Sequence, residues 1–231
     1  MCTKILASDF DETIYYLDNP EKNKMNCEAI RNFVTNGNIF CIITGRNYTD
    51  LKQLLIANNI PYSYLICEDG AKIFNNMDYC LDTVLLDEND IKQIVQIIEE
   101  YNWDYYLDDG YNHTNNYNDC VKIVINCIDE EDKRKTVDII KQRTNVHIYA
   151  SRTHVNIIHR SVNKKHALQK LINLEKLDYN NLYVIGDNDN DYEMLKSFNG
   201  GVMKRHNPIL DELGKNEYEL LKDYIEELMN N

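Results

Sequence analysis

The stretch ILASDFDETI, residues 5–14, decides how the fold is read. Ile5 and Leu6 are apolar, and Asp9 and Asp11 then stand two positions apart at the end of what reads as a buried strand. Two carboxylates so close repel one another unless a cation or shared protons lie between them. The pair is either a solvated turn or part of a site, and the rest of the chain has to separate the two.

At 231 residues the chain is long enough for one large domain or two small ones, and its 8 glycines and 3 prolines leave little room for linkers. A formal net charge of −13 argues against nucleic acid or an anionic membrane surface as main partner, since both reward basic faces. An acidic protein still binds an anion where a metal or a local basic cluster offsets the charge. No run approaches the roughly 20 apolar residues of a membrane helix, and no signal-like segment precedes the first strand. The 7 cysteines are scattered and never spaced CxxC; Cys41 and Cys67 lie in apolar runs, as small hydrophobes do. A reducing, cytoplasmic setting follows.

Outward from the first strand, a helix with Met25, Ala29, Ile30 and Phe33 on one face closes at Asn36-Gly37. IFCIITGR (39–46) is a second strand, the next helix carries Leu51, Leu54 and Leu55, and YLICEDGA (64–71) is a third strand. This alternation predicts a parallel sheet with right-handed crossovers. Between 86 and 160 the order changes to helix (88–101), strand (103–107), strand (121–127), helix (130–143), strand (147–150), strand (154–159). That is αββ written twice, an α+β unit with antiparallel strands inserted into the first domain. After Arg160 the α/β pattern returns, with a helix placing Ala167, Leu168, Leu171 and Leu174 inward. A strand in NLYVIGDNDND (181–191), a short helix with Met194, Leu195 and Phe198, a strand at GGVM (200–203) and a last helix with Tyr218, Leu221, Ile225 and Leu228 follow. The fold class is α/β: a Rossmann-like parallel-sheet core of residues 1–79 and 161–231, with 80–160 as the inserted unit.

Three inferred parallel strands end in polar clusters: Asp9/Asp11, Thr44-Gly45-Arg46, and Gly186-Asp187-Asn188-Asp189-Asn190-Asp191. One such cluster is ordinarily a turn or helix cap. Three at the carboxyl ends of strands share the edge of the sheet where α/β proteins bind ligands. Asp9, Asp11, Asp187 and Asp191 offer hard oxygen ligands for Mg2+. Thr44 offers a hydroxyl and Lys164 a positive charge for a phosphoryl group.

These stretches resemble the motifs of the haloacid dehalogenase superfamily. DFDET is similar to its first motif, DxDx[TV]; Thr44 in IITGR matches the second, Lys164 in SVNKKHAL the third, and GDNDND the fourth, GDxxND. With a cap inserted between the second and third motifs, the layout resembles the Cof-like sugar phosphatases over essentially the whole chain. The resemblance implies that Asp9 is the nucleophile, forming an aspartyl-phosphate, and that Asp11 is the general acid and then base. It implies that Thr44 and Lys164 bind the phosphoryl oxygens. Mg2+ is expected on Asp9, the backbone carbonyl of Asp11 and Asp187, with Asp191 a ligand or behind the ligands. Asn190 is expected to orient the phosphoryl group or Lys164. Gly45, Arg46, Asn190 and Lys204 are the candidate substrate-binding residues, and 80–160 becomes the cap that sets specificity, with hinges near 75–81 and 160–163.

The chain departs from the family pattern in three places. Glu12 stands where many relatives have Gly, directed to solvent or tuning the leaving-group side. Asp69-Gly70 replaces Asn-Gly, and Lys204-Arg205-His206-Asn207 replaces Gly-Asn-Ala. That basic run reads a second anionic group or is a solvated face. The expected activity is Mg2+-dependent hydrolysis of a small phosphomonoester, a sugar phosphate by preference, by a monomer or homodimer. A phosphomutase and a non-catalytic phosphometabolite-binding protein are the alternatives. His154 and His159 are not a metal pair, since they fall on opposite faces of their strand.

Overall fold

The structure is a computed structural model and describes residues 3–151 and 153–230. In chain order the elements are β1 (Ile5–Asp9), α1 (Pro20–Thr35), β2 (Ile39–Ile43), α2 (Tyr48–Ala57), β3 (Tyr64–Cys67), β4 (Lys72–Asn75), β5 (Cys80–Thr83), α3 (Glu88–Tyr101), β6 (Asp104–Asp108) and β7 (His113–Thr114). They continue with β8 (Lys122–Asn126), α4 (Glu130–Arg143), β9 (His147–Ser151), β10 (His154–Ile158), α5 (Lys164–Glu175), β11 (Leu182–Gly186), α6 (Tyr192–Ser197), β12 (Asn199–Met203), β13 (Glu217–Tyr218) and α7 (Leu221–Asn230).

Two sheets carry the fold. The large one has the order β13-β12-β11-β1-β2-β3-β4-β5, parallel from β13 to β3 and antiparallel through β4 and β5. Alternate residues of β1 feed opposite faces: Leu6 packs with Ile30, Phe33 and Ile225 under α1 and α7, while Ile5 and Ala7 pack with Leu168, Leu171 and Met194 under α5 and α6. The small sheet, β7-β6-β8-β10-β9, is antiparallel, and its Ile123, Ile125, Val155 and Ile157 pack against Ile91, Ile94, Ile98 and Ile140 of α3 and α4. The expected parallel core and the repeated αββ unit are both present. Among the described residues no helix is long and apolar enough to cross a membrane.

Several local expectations differ. The division at residue 80 falls in the large sheet, because Cys80–Thr83 pairs antiparallel with β4. The first crossing between the sheets is therefore not at 75–81, which is a hairpin of the large sheet. It lies at 84–86, where Val84 N–H still donates to Ala71 and Leu86 N–H already donates to Cys120. Met25 and Leu174, expected inward, are exposed. Tyr218 is buried in β13 and not on the last helix, since only two residues there pair with β12.

Candidate active site

β1 and β11 are neighbours from which the chain proceeds in opposite directions, to β2 and β3 on one side and to β12 and β13 on the other. Ligands of open α/β sheets bind beyond the carboxyl ends of strands at such a switch point. Ser8 pairs with Ile185, so Asp9 and Asp187 leave the sheet side by side, and Asp9 pairs with Ile43, which puts Thr44 on the other flank. Gly186 has no room for a side chain, because a Cβ there would run into the Asp191 carboxylate.

Lys164 is the first residue of α5. Asn163 caps that helix by accepting from His166 N–H at 2.8 Å, which fixes where the helix starts. The Lys164 ammonium is 1% exposed and donates to Asp9 Oδ1 at 2.5 Å and to Asp191 Oδ1 at 2.7 Å. Burial pulls its pKa down, but Asp191 and Asp9 outweigh this and hold it above the ordinary lysine range. The other Asp191 oxygen accepts the N–H groups of Asp187 and Asn188, each at 3.1 Å, so this carboxylate ties the loop to the lysine. The Thr13 hydroxyl donates to Asp187 Oδ1 at 3.2 Å, and the Asn207 N–H donates to the Asp187 carbonyl at 2.7 Å.

Oxygens of Asp9, Asp187 and Asp191 lie within 4.8 Å of one another. Burial raises the pKa of Asp9 well above the carboxylate range; Lys164 works against this, while Asp191 and Asp187 add to it. Burial and then the charge of Asp191 push Asp187 up to about 7. Three carboxylates against one ammonium leave a formal surplus of two negative charges. That surplus, with oxygen donors only, fits one hard divalent cation.

Asp11 has a different environment. Phe10 between the two aspartates is fully buried, as the alternation predicts, and Asp11 sits at the rim. Both of its oxygens are taken by Arg46, from Nε at 2.8 Å and from Nη2 at 2.7 Å. The Thr44 hydroxyl is buried and accepts from Arg46 N–H at 3.1 Å. The Gly45 carbonyl accepts from Lys122 Nζ of the inserted unit at 3.0 Å. Asn190 donates neither to Lys164 nor to an open space but to Asp69 Oδ1, at 2.9 Å. Lys204 is not drawn in: it is exposed and its ammonium stands 3.5 Å from Glu219. Its neighbour His206 is tied to the Met203 carbonyl and to Asp211, so the basic run splits between solvent and local bracing. Glu12 is exposed in the left-handed region, φ 59°, a conformation that glycine adopts without strain.

Sequence reasoning gave no individual site role to Thr13, Asp69, Lys122, Tyr149 or Asn207. Thr13 stood inside the quoted first motif without a role. Asp69 stood only as a departure from Asn-Gly and Asn207 only as the end of the basic run; these two, Lys122 and Tyr149 join the site through contacts distant in sequence.

The family of haloacid dehalogenase-like hydrolases matches residues 6–119 and 106–213. A protein of Buchnera aphidicola subsp. Baizongia pistaciae named "Putative phosphatase" is 24% identical over 97% of this chain and 97% of its own length. A phosphatase of the haloalkanoate enzyme superfamily from Bacteroides thetaiotaomicron shares the fold at a TM-score of 0.81 and 15% identity, over 99% of this chain and 93% of that one. A subclass IIB sugar phosphatase of that superfamily does so at a TM-score of 0.77 and 15% identity, over 99% and 98% of the two chains. The chain belongs to the haloacid dehalogenase-like hydrolases.

Proposed function

We propose that this hydrolase is a Mg2+-dependent phosphatase acting on a small phosphomonoester, a sugar phosphate by preference, through an aspartyl-phosphate on Asp9. The observation that carries this reading is the buried Asp9–Lys164–Asp191 chain beside Asp187 at the switch point of the sheet. The phosphatase names of the relatives and the sugar phosphatase among the structural neighbours support it.

Asp9, Asp187 and the Asp11 carbonyl are the groups that would hold Mg2+, with Asp191 behind them. The bound cation supplies positive charge for the phosphoryl oxygens and for the crowded carboxylates. Lys164 occupies Asp9 Oδ1, which leaves Oδ2 to attack phosphorus. The P–O bond to the leaving group then breaks, and Asp11, turned out of the Arg46 pair and protonated, gives its proton to the departing alkoxide. Asp11 next takes a proton from water, the water oxygen attacks the acyl phosphate, and inorganic phosphate leaves with Asp9 restored. Thr44 and Lys164 face the equatorial oxygens and offset the charge they gather. Arg46 is the holder of the ionised Asp11 that acts as base, so Arg46→Ala is expected to lower kcat by roughly ten- to a hundredfold through a misplaced base. Steady-state kinetics on that variant check this.

The small sheet with α3 and α4 is the cap in this reading, hinged at 84–86 and 160–163, and its closure shields the transfer of the phosphoryl group to Asp9 from bulk water. The functional test is phosphate release from a panel of sugar phosphates and other phosphomonoesters, with Mg2+ and with chelator. Metal-dependent release is the expected result, and release that survives chelation contradicts the reading.

A pH dependence of stability follows as well. Asp9, Asp187 and Glu68 are all raised, the latter two to about 7, with burial the leading cause for each. The folded chain therefore keeps protons that the unfolded chain has lost, and metal-free stability falls as pH rises from the ordinary carboxylate range to about 7. Thermal melts in chelator should show a lower Tm at pH 7.5 than at pH 5.5. Saturating Mg2+ should narrow that gap, because it binds the ionised folded form.

A further inference from the structure

Glu68, Asp69 and Gly70, which follow β3, all adopt the left-handed conformation, at φ 52°, 54° and 117°. Non-glycine residues avoid this region, and two in succession persist only where the surroundings over-determine them. The turn is gripped from several sides. Its Glu68 and Asp69 N–H groups donate to the carbonyls of Arg46 and Thr44 at 3.0 and 2.9 Å. Gly70 presses on the start of α5 so closely that a Cβ there would lie 2.8 Å from both the Ala167 Cβ and the Asn163 carbonyl. The turn therefore touches the Thr44 loop and the helix that presents Lys164.

The unusual backbone sends successive carboxylates in different directions. Glu68, fully buried, pairs with Lys122 of β8. Asp69, 3% exposed, accepts from the Tyr149 hydroxyl of β9 on one oxygen and from the Asn190 amide of the loop after β11 on the other. Tyr149 and His147 alternate with Ile148, which packs on the helices of the small sheet, so the two rings look toward the large one. A cavity of about 270 Å³ opens beside this contact, lined by His147, Tyr149, Asp189 and Asn190 among others. Other links between the two units, among them Asn47 to Asp108 at 3.3 Å, Tyr48 N–H to the Gly110 carbonyl at 2.9 Å and Lys122 to Gly45, fall on the Thr44 side.

We propose that Asp69 is a positioning residue that makes seating of the cap and orientation of Asn190 one event. With Tyr149 in place, both Asp69 oxygens are satisfied and the Asn190 amide is fixed against the motif loop. When the cap lifts, a buried acceptor loses its partner and the carboxylate is free to turn, which releases Asn190. Sensing of the cap thus reaches the loop that carries Asp187 and Asp191 through the Asp69 carboxylate that Tyr149 and Asn190 share. An aspartate holds both donors by charge, whereas Asn at 69 keeps one oxygen acceptor and leaves the Tyr149 hydroxyl to turn round and accept from its amide in a weaker, neutral bond.

This inference rests on the proposed phosphatase reading only for its kinetic consequence, so the deciding experiment uses no substrate. Amide hydrogen exchange of the metal-free protein is followed in 147–150 and 187–191 for wild type, Tyr149→Phe, Asp69→Asn and the double variant. Tyr149→Phe deletes one hydroxyl and keeps the ring. The expected result is roughly tenfold faster exchange in both segments for each single variant, with no further gain in the double. Acceleration confined to 147–150 in Tyr149→Phe, or single effects that multiply in the double, overturns the coupling. Kinetics with para-nitrophenyl phosphate add a second readout, in which Tyr149→Phe and Asp69→Asn lower kcat by similar factors and the double variant is no worse. Equal kcat in wild type and Asp69→Asn contradicts the inference. A wild type inert toward this probe contradicts the phosphatase reading, and the exchange data still decide on Asp69.

Discussion

Asp9→Asn is expected to abolish phosphate release, by at least about 10⁴-fold, while the protein remains folded and melts no lower than wild type in chelator. The amide keeps the size and one acceptor for Lys164, but its oxygen is a poor nucleophile and it offers no charge to a cation. Stability is preserved because the ionised Asp9 carboxylate is disfavoured in place: burial raises its pKa, and Asp191 and Asp187 crowd it. Activity assays paired with thermal melts separate this from a folding defect. Loss of activity together with a markedly lower Tm would assign Asp9 to structure.

Lys164→Met should lose both function and stability. The lysine is buried between Asp9 and Asp191 and is their direct counter-charge. Its removal leaves buried carboxylates unpaired, a change that typically costs about 3–5 kcal/mol. Loss of a fixed charge at the phosphoryl group should lower kcat by roughly 10²–10³-fold in the protein that remains folded. Denaturant unfolding at pH 7.5 and pH 5.5 tests the electrostatic origin. The deficit should shrink at the lower pH, where Asp187, held at about 7, carries its proton and relieves the cluster.

Much of this arrangement was legible in the sequence because it follows from periodicity. The apolar runs ending in Asp9, Thr44 and Asp187 gave three strands of one parallel sheet, and register then brought Asp9 next to Asp187. The inserted unit was readable because its helices have clean amphipathic faces, as in Ile91, Ile94 and Ile98. The β4–β5 hairpin was not. Lys72 is a buried charge under the Tyr111 ring, with Nζ 3.9 Å from the centroid, and β5 is a short edge strand without alternation. Lys204 misled because a basic run after a strand looks like an anion site, whereas Glu219 of the adjoining edge takes its charge. Asp69 stood out only as a departure from Asn-Gly: its role depends on a left-handed backbone and on Tyr149 and Asn190, both distant in sequence.

The central claim, covalent transfer to Asp9, is tested most directly by quenching the enzyme in acid during turnover and reducing it with borohydride, which converts an acyl phosphate to an alcohol. Peptide mass analysis should find the reduced side chain at residue 9 and at no other acid, with none in Asp9→Asn. Phosphate release with no reduced residue, or with reduction at Asp11 or Asp187, would contradict the account.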